Sequence, residues 1–326
     1  MKPYVLGVDL GGTKIAVLGS NRIGDPNAIM RVPSHLDDHS YFIENTLIDS
    51  VEKYIEEYES GLRPVGVGFG LKDYVDKRNG IWHAHPTKNG YVPLAFSKLV
   101  MEKCALCSVL DNDVHSATLA EMKFGVGNKY NDFLYINVGT GLSMGIVADG
   151  RLIRGASNYS GETGHITVES DGEHCTFCGK VGCLENIASG GAIIRHAKKS
   201  ADENPDSMLT AVLREKGQIN SHDVFHAADL GDGPAIKLSA RVLSALVCAT
   251  ADLISIFNPE AVIFGGGVMS DGWLIERIKK ELPSRIIRTD RDALKEISLS
   301  QLGSDHVGVL GAIALAQEEF SSALLN

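Results

Sequence analysis

Between Gly161 and Glu185 the chain reads GETGHITVESDGEHCTFCGKVGCLE, placing the carboxylates of Glu162 and Glu185 and the imidazole of His165 around the thiols of Cys175, Cys178 and Cys183. Three thiolates and one imidazole complete the tetrahedral shell of a structural Zn²⁺ and leave no coordination position open for chemistry. His174, beside Cys175, competes as the fourth ligand, and the spacing favours His165. Gly179 and Gly182 fall where the chain must turn sharply to bring the last two sulfurs onto one ion. A metal-bound imidazole keeps one ring nitrogen for another partner. Ordering this knuckle would therefore also order His165, Glu162 and Glu185 as a wall for a polar substrate.

Three glycine turns follow strand-like segments: Gly11-Gly12-Thr13-Lys14, Gly139-Thr140-Gly141 and Gly265-Gly266-Gly267. Each offers backbone N–H groups with no side chain in the way, as close approach to phosphate oxygens requires. None is a GxxxxGK[ST] loop or a complete GxGxxG fingerprint, and each alone reads more readily as a tight turn than as a ligand site. Three in one chain point to a nucleotide. Asp9, just ahead of the first turn, reads either as a Mg²⁺ contact made through water or as a capping residue in the turn. Thr13 could bond a phosphate oxygen, and Lys14 reaches one or lies in solvent.

The elements that must position these groups alternate. YVLGVDLGGTKIAVLGS reads as two strands around the first glycine turn, YFIENTLIDSVEKYIEEY as an amphipathic helix, RPVGVGFG as a strand and LVMEKCALC as a helix. SVLDNDVHSATLAEMKFG is a strand that delivers Asp111, Asn112 and Asp113 to a helix start. DFLYINVGTGLSMGIVADGRLIRG repeats the opening hairpin with its glycine bend, which suggests two related lobes. A long helix from about Asp232 to Phe257, the buried strand AVIFGGG and a closing helix HVGVLGAIALAQEEF complete an α/β pattern.

With 326 residues, two lobes are the better expectation. A net charge of −10 argues against a nucleic-acid face, and 44% hydrophobic with 22% charged residues describes an ordinary globular protein. No secretory leader is read at the N-terminus and no stretch is read as a membrane span, so a cytoplasmic protein is expected. Cys104 and Cys107 form a further CxxC without a second ligand pair and are read as core thiols.

Taken together, DLGGTK at 9–14, the ND run from Asn112 to Glu121, VGTG at 138–141, RGASNYSGETGH at 154–165, CGKVGCLE at 178–185 and FGGGV at 264–268 resemble the ROK family of sugar kinases and sugar-responsive repressors. The resemblance covers nearly the whole chain in the family's order. It implies a two-lobed actin-like ATPase (ribonuclease H-like) fold: a small lobe, 1–114, closed by a C-terminal helix, 305–326, and a larger lobe, 115–304, carrying the zinc and sugar segment 161–185. The active site is expected in the cleft between the lobes. The resemblance also implies ATP as phosphoryl donor with catalytic Mg²⁺, Asp113 as general base, and Asn112, Asp113, Glu162, His165 and Glu185 around the sugar. The substrate would be a hexose or N-acetylhexosamine phosphorylated at its 6-hydroxyl, and the protein a homodimer.

A sugar-binding sensor without kinase activity is the alternative. Family repressors carry a helix-turn-helix ahead of the core, whereas here the core motif starts within the first ten residues, which favours the enzyme. The chain departs from the family pattern in four places. Thr176 stands where the usual CxCGxxGC has its first Cys. Leu142, Ser143 and Met144 replace a glycine-rich run after VGTG. His85 falls about where glucose-binding relatives carry an Asn, and Asp73 replaces a small residue, both in segments that help shape the sugar pocket in relatives. The last two differences leave the sugar open, since relatives handle glucose, N-acetylmannosamine, fructose, allose and β-glucosides.

Overall fold

The structure, a computed structural model, describes residues 3–25, 27–35, 43–60, 62–87, 90–303 and 306–325. The chain forms two compact units. The first is built from residues 1–129, 152–160 and 301–326, and the second from 130–151 and 161–300.

In the first unit β1 (Val5–Leu10), β2 (Lys14–Gly19), β3 (Met30–Pro33), α1 (Ile43–Tyr58), β4 (Gly66–Leu71), β5 (Val75–Asp76), β6 (Ile81–Thr87), β7 (Gly90–Leu94), α2 (Phe96–Cys104), β8 (Ser108–Asn112) and α3 (Asp113–Phe124) follow in order. The second unit is built on β9 (Phe133–Val138), β10 (Leu142–Ala148), α4 (Glu185–Ala188), α5 (Gly190–Glu203), α6 (Met208–Lys216), α7 (Ser221–Asp229), α8 (Gly233–Phe257), β12 (Ala261–Gly265), α9 (Trp273–Glu281), α10 (Arg288–Ala293) and β13 (Glu296–Leu299), with the short strand β11 (Arg151–Ile153) running across the division at residue 152. Helices α11 (Val307–Glu319) and α12 (Ser321–Leu324) return to the first unit.

The two main sheets have one design. The first has the order β3-β2-β1-β4-β8 and the second β11-β10-β9-β12-β13. In each, the first strand pairs antiparallel with the second and parallel with the fourth. The likeness between the two glycine-bend hairpins thus extends to whole sheets. A small sheet, β5-β6-β7, which the sequence reading did not separate, sits beside the first.

Strand alternation divides the first unit's core. Leu6, Val8 and Leu10 of β1 and Val67, Phe69 and Leu71 of β4 pack with α1 and α2. The intervening positions meet α11, and most of them are glycine. A Cβ on Gly68 would stand 2.2 Å from the Ala312 carbonyl oxygen, and one on Gly7 would stand 2.6 Å from the Ile313 nitrogen. The helix answers in kind: a Cβ on Gly311 would lie 1.9 Å from the Ser116 carbonyl oxygen in α3. Helix α11 therefore lies directly on the sheet and against α3.

Two expectations are corrected. Helix α8 is long and apolar enough to cross a membrane by length and composition, contrary to the reading that no stretch is. Over half of its most apolar window is buried, Val242, Leu246, Val247 and Ile254 lying in the second unit's core. Cys104 is buried as expected, but Cys107 is exposed, because Ala105 in the left-handed region ends α2 and turns the chain outward before β8.

Since a methyl at Gly311 has only backbone to displace, Gly311→Ala should lower stability by about 1–3 kcal/mol in urea unfolding. Gly233→Ala, whose Cβ meets nothing within 4 Å, should stay within about 0.5 kcal/mol of wild type.

Candidate functional site

The expected metal ligands converge in the second unit. The ligand atoms of His165, Cys175, Cys178 and Cys183 all lie within 4.8 Å of one another. The sulfurs of Cys178 and Cys183 are 3.5 Å apart, and His165 Nδ1 is 3.9 Å from Cys175 Sγ. A tetrahedron with metal–sulfur bonds of about 2.3 Å has edges of roughly 3.8 Å, so this donor set fits Zn²⁺. His174 stands outside the group, its Nδ1 facing the Gly179 carbonyl oxygen at 3.1 Å. The knuckle depends on Gly182 at φ 68°, where a Cβ would strike the Glu169 carbonyl oxygen at 1.6 Å. Burial lowers the His165 pKa, and the neighbouring Lys180 charge acts in the same direction, favouring the neutral imidazole that a metal binds. Phe177, 69% exposed, lies flat on the His165 ring with centroids 5.2 Å apart and so fixes its plane.

Glu185 starts α4 beside this knuckle, and Leu142 N–H donates to its Oε2 at 2.6 Å. Its carboxylate occupies space that two glycines leave open: a Cβ on Gly164 would lie 2.8 Å from Oε2, and one on Gly141 3.2 Å from Oε1. Gly141, read from sequence as a phosphate glycine, thus also makes room for a carboxylate. The run Leu142-Ser143-Met144 opens β10 in register with Val138, Asn137 and Ile136. Ahead of Glu162, Gly161 at φ 91° passes so close to β10 that a Cβ would lie 1.8 Å from the Met144 carbonyl oxygen.

In the first unit, β8 ends and α3 begins at the ND pair. The Asn112 side-chain oxygen caps the helix, accepting from Val114 N–H at 2.8 Å and His115 N–H at 3.3 Å, while its Nδ2 donates to the Asp73 carbonyl at 3.0 Å. The Asp113 carboxylate accepts from Val114 N–H at 2.9 Å; among the described residues no other donor reaches it. Burial, and after it the charge of Asp73, push the Asp113 pKa up to about 6. Asp73 itself holds φ 64°. His85 lies on β6, with its side chain outside the described residues.

The glycine turns divide between the units. Gly11-Gly12-Thr13-Lys14 bends from β1 into β2, with Gly11 N–H on the Lys14 carbonyl at 2.9 Å and Gly12 open to its surroundings. Asp9 stands one strand end away, its carboxylate against Gly308 of α11. Burial first, then the charge of Asp113, push the Asp9 pKa up to about 7. The other two turns follow adjacent parallel strands, β9 and β12, of the second unit. Gly139 and Thr140 accept from the first amides of α5, Gly190 and Gly191, at 2.8 and 3.1 Å, and Gly267 accepts from the His222 ring at 3.0 Å.

Sequence reasoning missed a buried polar cluster one residue before the ND pair. Asp111, fully buried, accepts from Arg154 Nε at 2.8 Å, Asn158 Nδ2 at 3.0 Å and its neighbour Asn112 N–H at 2.9 Å, and meets His115 Nδ1 at 3.2 Å. Burial works to raise its pKa, but the His115 hydrogen bond and the Arg154 charge outweigh burial and hold it at about 2. The available signal was a charged residue inside the apolar strand SVLDN, which requires buried partners.

These elements, in this order, match a model described as the ROK family over residues 5–319. The chain belongs to the ROK family. Its doubled sheet is the actin-like ATPase arrangement expected from the sequence. A glucokinase of Halalkalibacterium halodurans is 31% identical over 321 residues, covering 98% of this chain and 96% of its own. A xylose repressor of Caldicellulosiruptor bescii is 29% identical, covering 98% of this chain and 79% of its own. The crystal structure of a ROK family glucokinase from Streptomyces griseus in complex with glucose and AMPPNP superposes with a TM-score of 0.75 at 29% identity, covering 97% of this chain and 99% of that one.

Within this ROK chain, the metal group yields a direct expectation. Metal analysis of the purified protein should give one zinc per chain. Cys183→Ser should lose it and His174→Ala should keep it.

Proposed function

We propose that the chain is an ATP-dependent sugar kinase acting on the 6-hydroxyl of a hexose or N-acetylhexosamine, with Asp113 as general base. The observation that carries this reading is the Asp113 carboxylate, held at a helix start by a single backbone N–H and otherwise unengaged among the described residues. Bound ATP with Mg²⁺ supplies the phosphoryl group and neutralises its charge. The chain's own part is to bind, orient and deprotonate. Asp113 accepts the proton as the sugar oxygen bonds to phosphorus and the bond to the ADP oxygen breaks. Asn112, Glu162, His165 and Glu185 hold sugar hydroxyls, carboxylates being suited to accept from adjacent O–H groups. With His165 Nδ1 turned to the thiols, Nε2 is the nitrogen left for the sugar.

The glycine turns at 11–12, 139–141 and 265–267 give the phosphates room for close approach, Thr13 and Lys14 serve them, and Asp9 serves Mg²⁺ through water. The resemblance to a glucokinase crystallised with glucose and AMPPNP supports this assignment. The match to a xylose repressor over 98% of the chain supports the second reading, a sugar-binding sensor.

The test is ADP release from ATP and Mg²⁺ across hexoses, N-acetylhexosamines and β-glucosides. Turnover on one sugar, reduced about 10²–10⁴-fold in Asp113→Asn, is expected. Sugar binding without turnover would establish the sensor instead. A base must be ionised to accept a proton, so the rate should fall as pH drops through about 6, well above the range of an ordinary Asp. A rate that held level down to pH 4.5 would remove Asp113 from that role.

A further inference from the structure

We propose that Asp111 is the positioning residue of the sugar site: through Arg154, Asn158 and His115 it locks the loop 154–160 onto the strand end that presents Asn112 and Asp113. The proposal rests on the reading of the ND pair and Glu162 as sugar ligands. Asp111 is fully buried, so it acts through its neighbours and touches neither sugar nor phosphate.

Its two oxygens serve two structures at once. Oδ1 takes the N–H of Asn112, which fixes the peptide leading into the helix cap, and with it the start of α3 at Asp113. The same oxygen takes Asn158 Nδ2, and Oδ2 takes Arg154 Nε. His115 extends the reach: one ring nitrogen meets Asp111 and the other the Ser160 carbonyl oxygen at 3.2 Å. Three residues of one short loop therefore depend on a single carboxylate.

The loop is itself closed. Ser160 N–H donates to the Arg154 carbonyl at 3.2 Å, and Gly155 and Asn158 hold φ of 72° and 61°. Asn158 Nδ2 also donates to the Val75 carbonyl at 2.9 Å, tying the loop to β5. Glu162 follows Ser160 by two residues along the chain. A core ion pair needs only to be satisfied. This one joins the segment bearing the base to the segment leading into a sugar ligand, and its loss should be felt in sugar binding before nucleotide binding.

The experiment is calorimetry of glucose, N-acetylmannosamine and ADP on the intact protein, with turnover measured in parallel. Asp111→Asn puts an amide N–H₂ against the Arg154 guanidinium, donor against donor, and should weaken sugar binding at least tenfold while ADP affinity stays within twofold. Adding Arg154→Gln gives that amide an acceptor and should restore sugar affinity to within threefold of wild type. Asn158→Ala, which removes one tether without stranding a charge, should weaken sugar binding threefold or more.

Equal losses for sugar and ADP, or unchanged sugar affinity in folded Asp111→Asn, would overturn the proposal. Should that variant not fold, unchanged sugar affinity in Asn158→Ala overturns it just as well. If wild type binds sugar without phosphorylating it, the kinase reading fails while the dissociation constants still judge Asp111. If wild type binds no sugar, both fall.

Discussion

The first unit depends on backbone meeting backbone. Helix α11 rests on β1 and β4 so closely that neither Gly7 nor Gly68 could carry a side chain, and α11 contributes glycines of its own, Gly308 facing Asp9 and Gly311 facing α3; along β4, Gly66, Gly68 and Gly70 alternate with Val67, Phe69 and Leu71. Alternation gives one face of the sheet to apolar packing and the other to this close approach. The approach then places chemistry. Gly308 leaves space for the Asp9 carboxylate, and Gly311 lets α3, whose first residue is Asp113, lie against α11. A single packing constraint thus fixes both the carboxylate assigned to Mg²⁺ and the one assigned to the sugar hydroxyl.

The second unit repeats the sheet order with a different use of glycine. Gly141 and Gly164 leave room for the Glu185 carboxylate, Gly161 lets its segment hug β10, and Gly182 closes the cysteine knuckle. Only some of its glycines remain open to a ligand; Gly267, whose Cβ would meet nothing within 4 Å, is one. The same residue type serves crowding at one position and approach at another, and local sequence does not separate the two.

That ambiguity marks how far the sequence could be read. The glycine-bend hairpins, α1, β8 leading into α3, the long α8 and the buried β12 were legible because each carries a strong local period or an unbroken apolar run. The metal group was legible because its thiols crowd into nine residues, Cys175 to Cys183. The sheet β5-β6-β7 was not: HAHPTKNGYVPL carries two prolines and mixes histidines with apolar residues, which blurs any alternation. Nor was the role of Asp111, whose partners Arg154 and Asn158 lie 43 and 47 positions along the chain. Cys107 was misplaced because its exposure is decided by the left-handed turn at Ala105, a backbone event that alanine does not announce.

The first unit is assembled from three separate stretches of chain, the last beginning at residue 301. A ribosome making this protein releases β1, β4 and α3 long before α11 exists. Until then the glycine face of the sheet has nothing to rest against it, and the unit stays an incompletely packed intermediate. The second unit, by contrast, draws on nothing made after residue 300. Order of synthesis and order of completion therefore run in opposite directions: the half begun first is finished last, and the second unit is complete while the opening strands still await their cover.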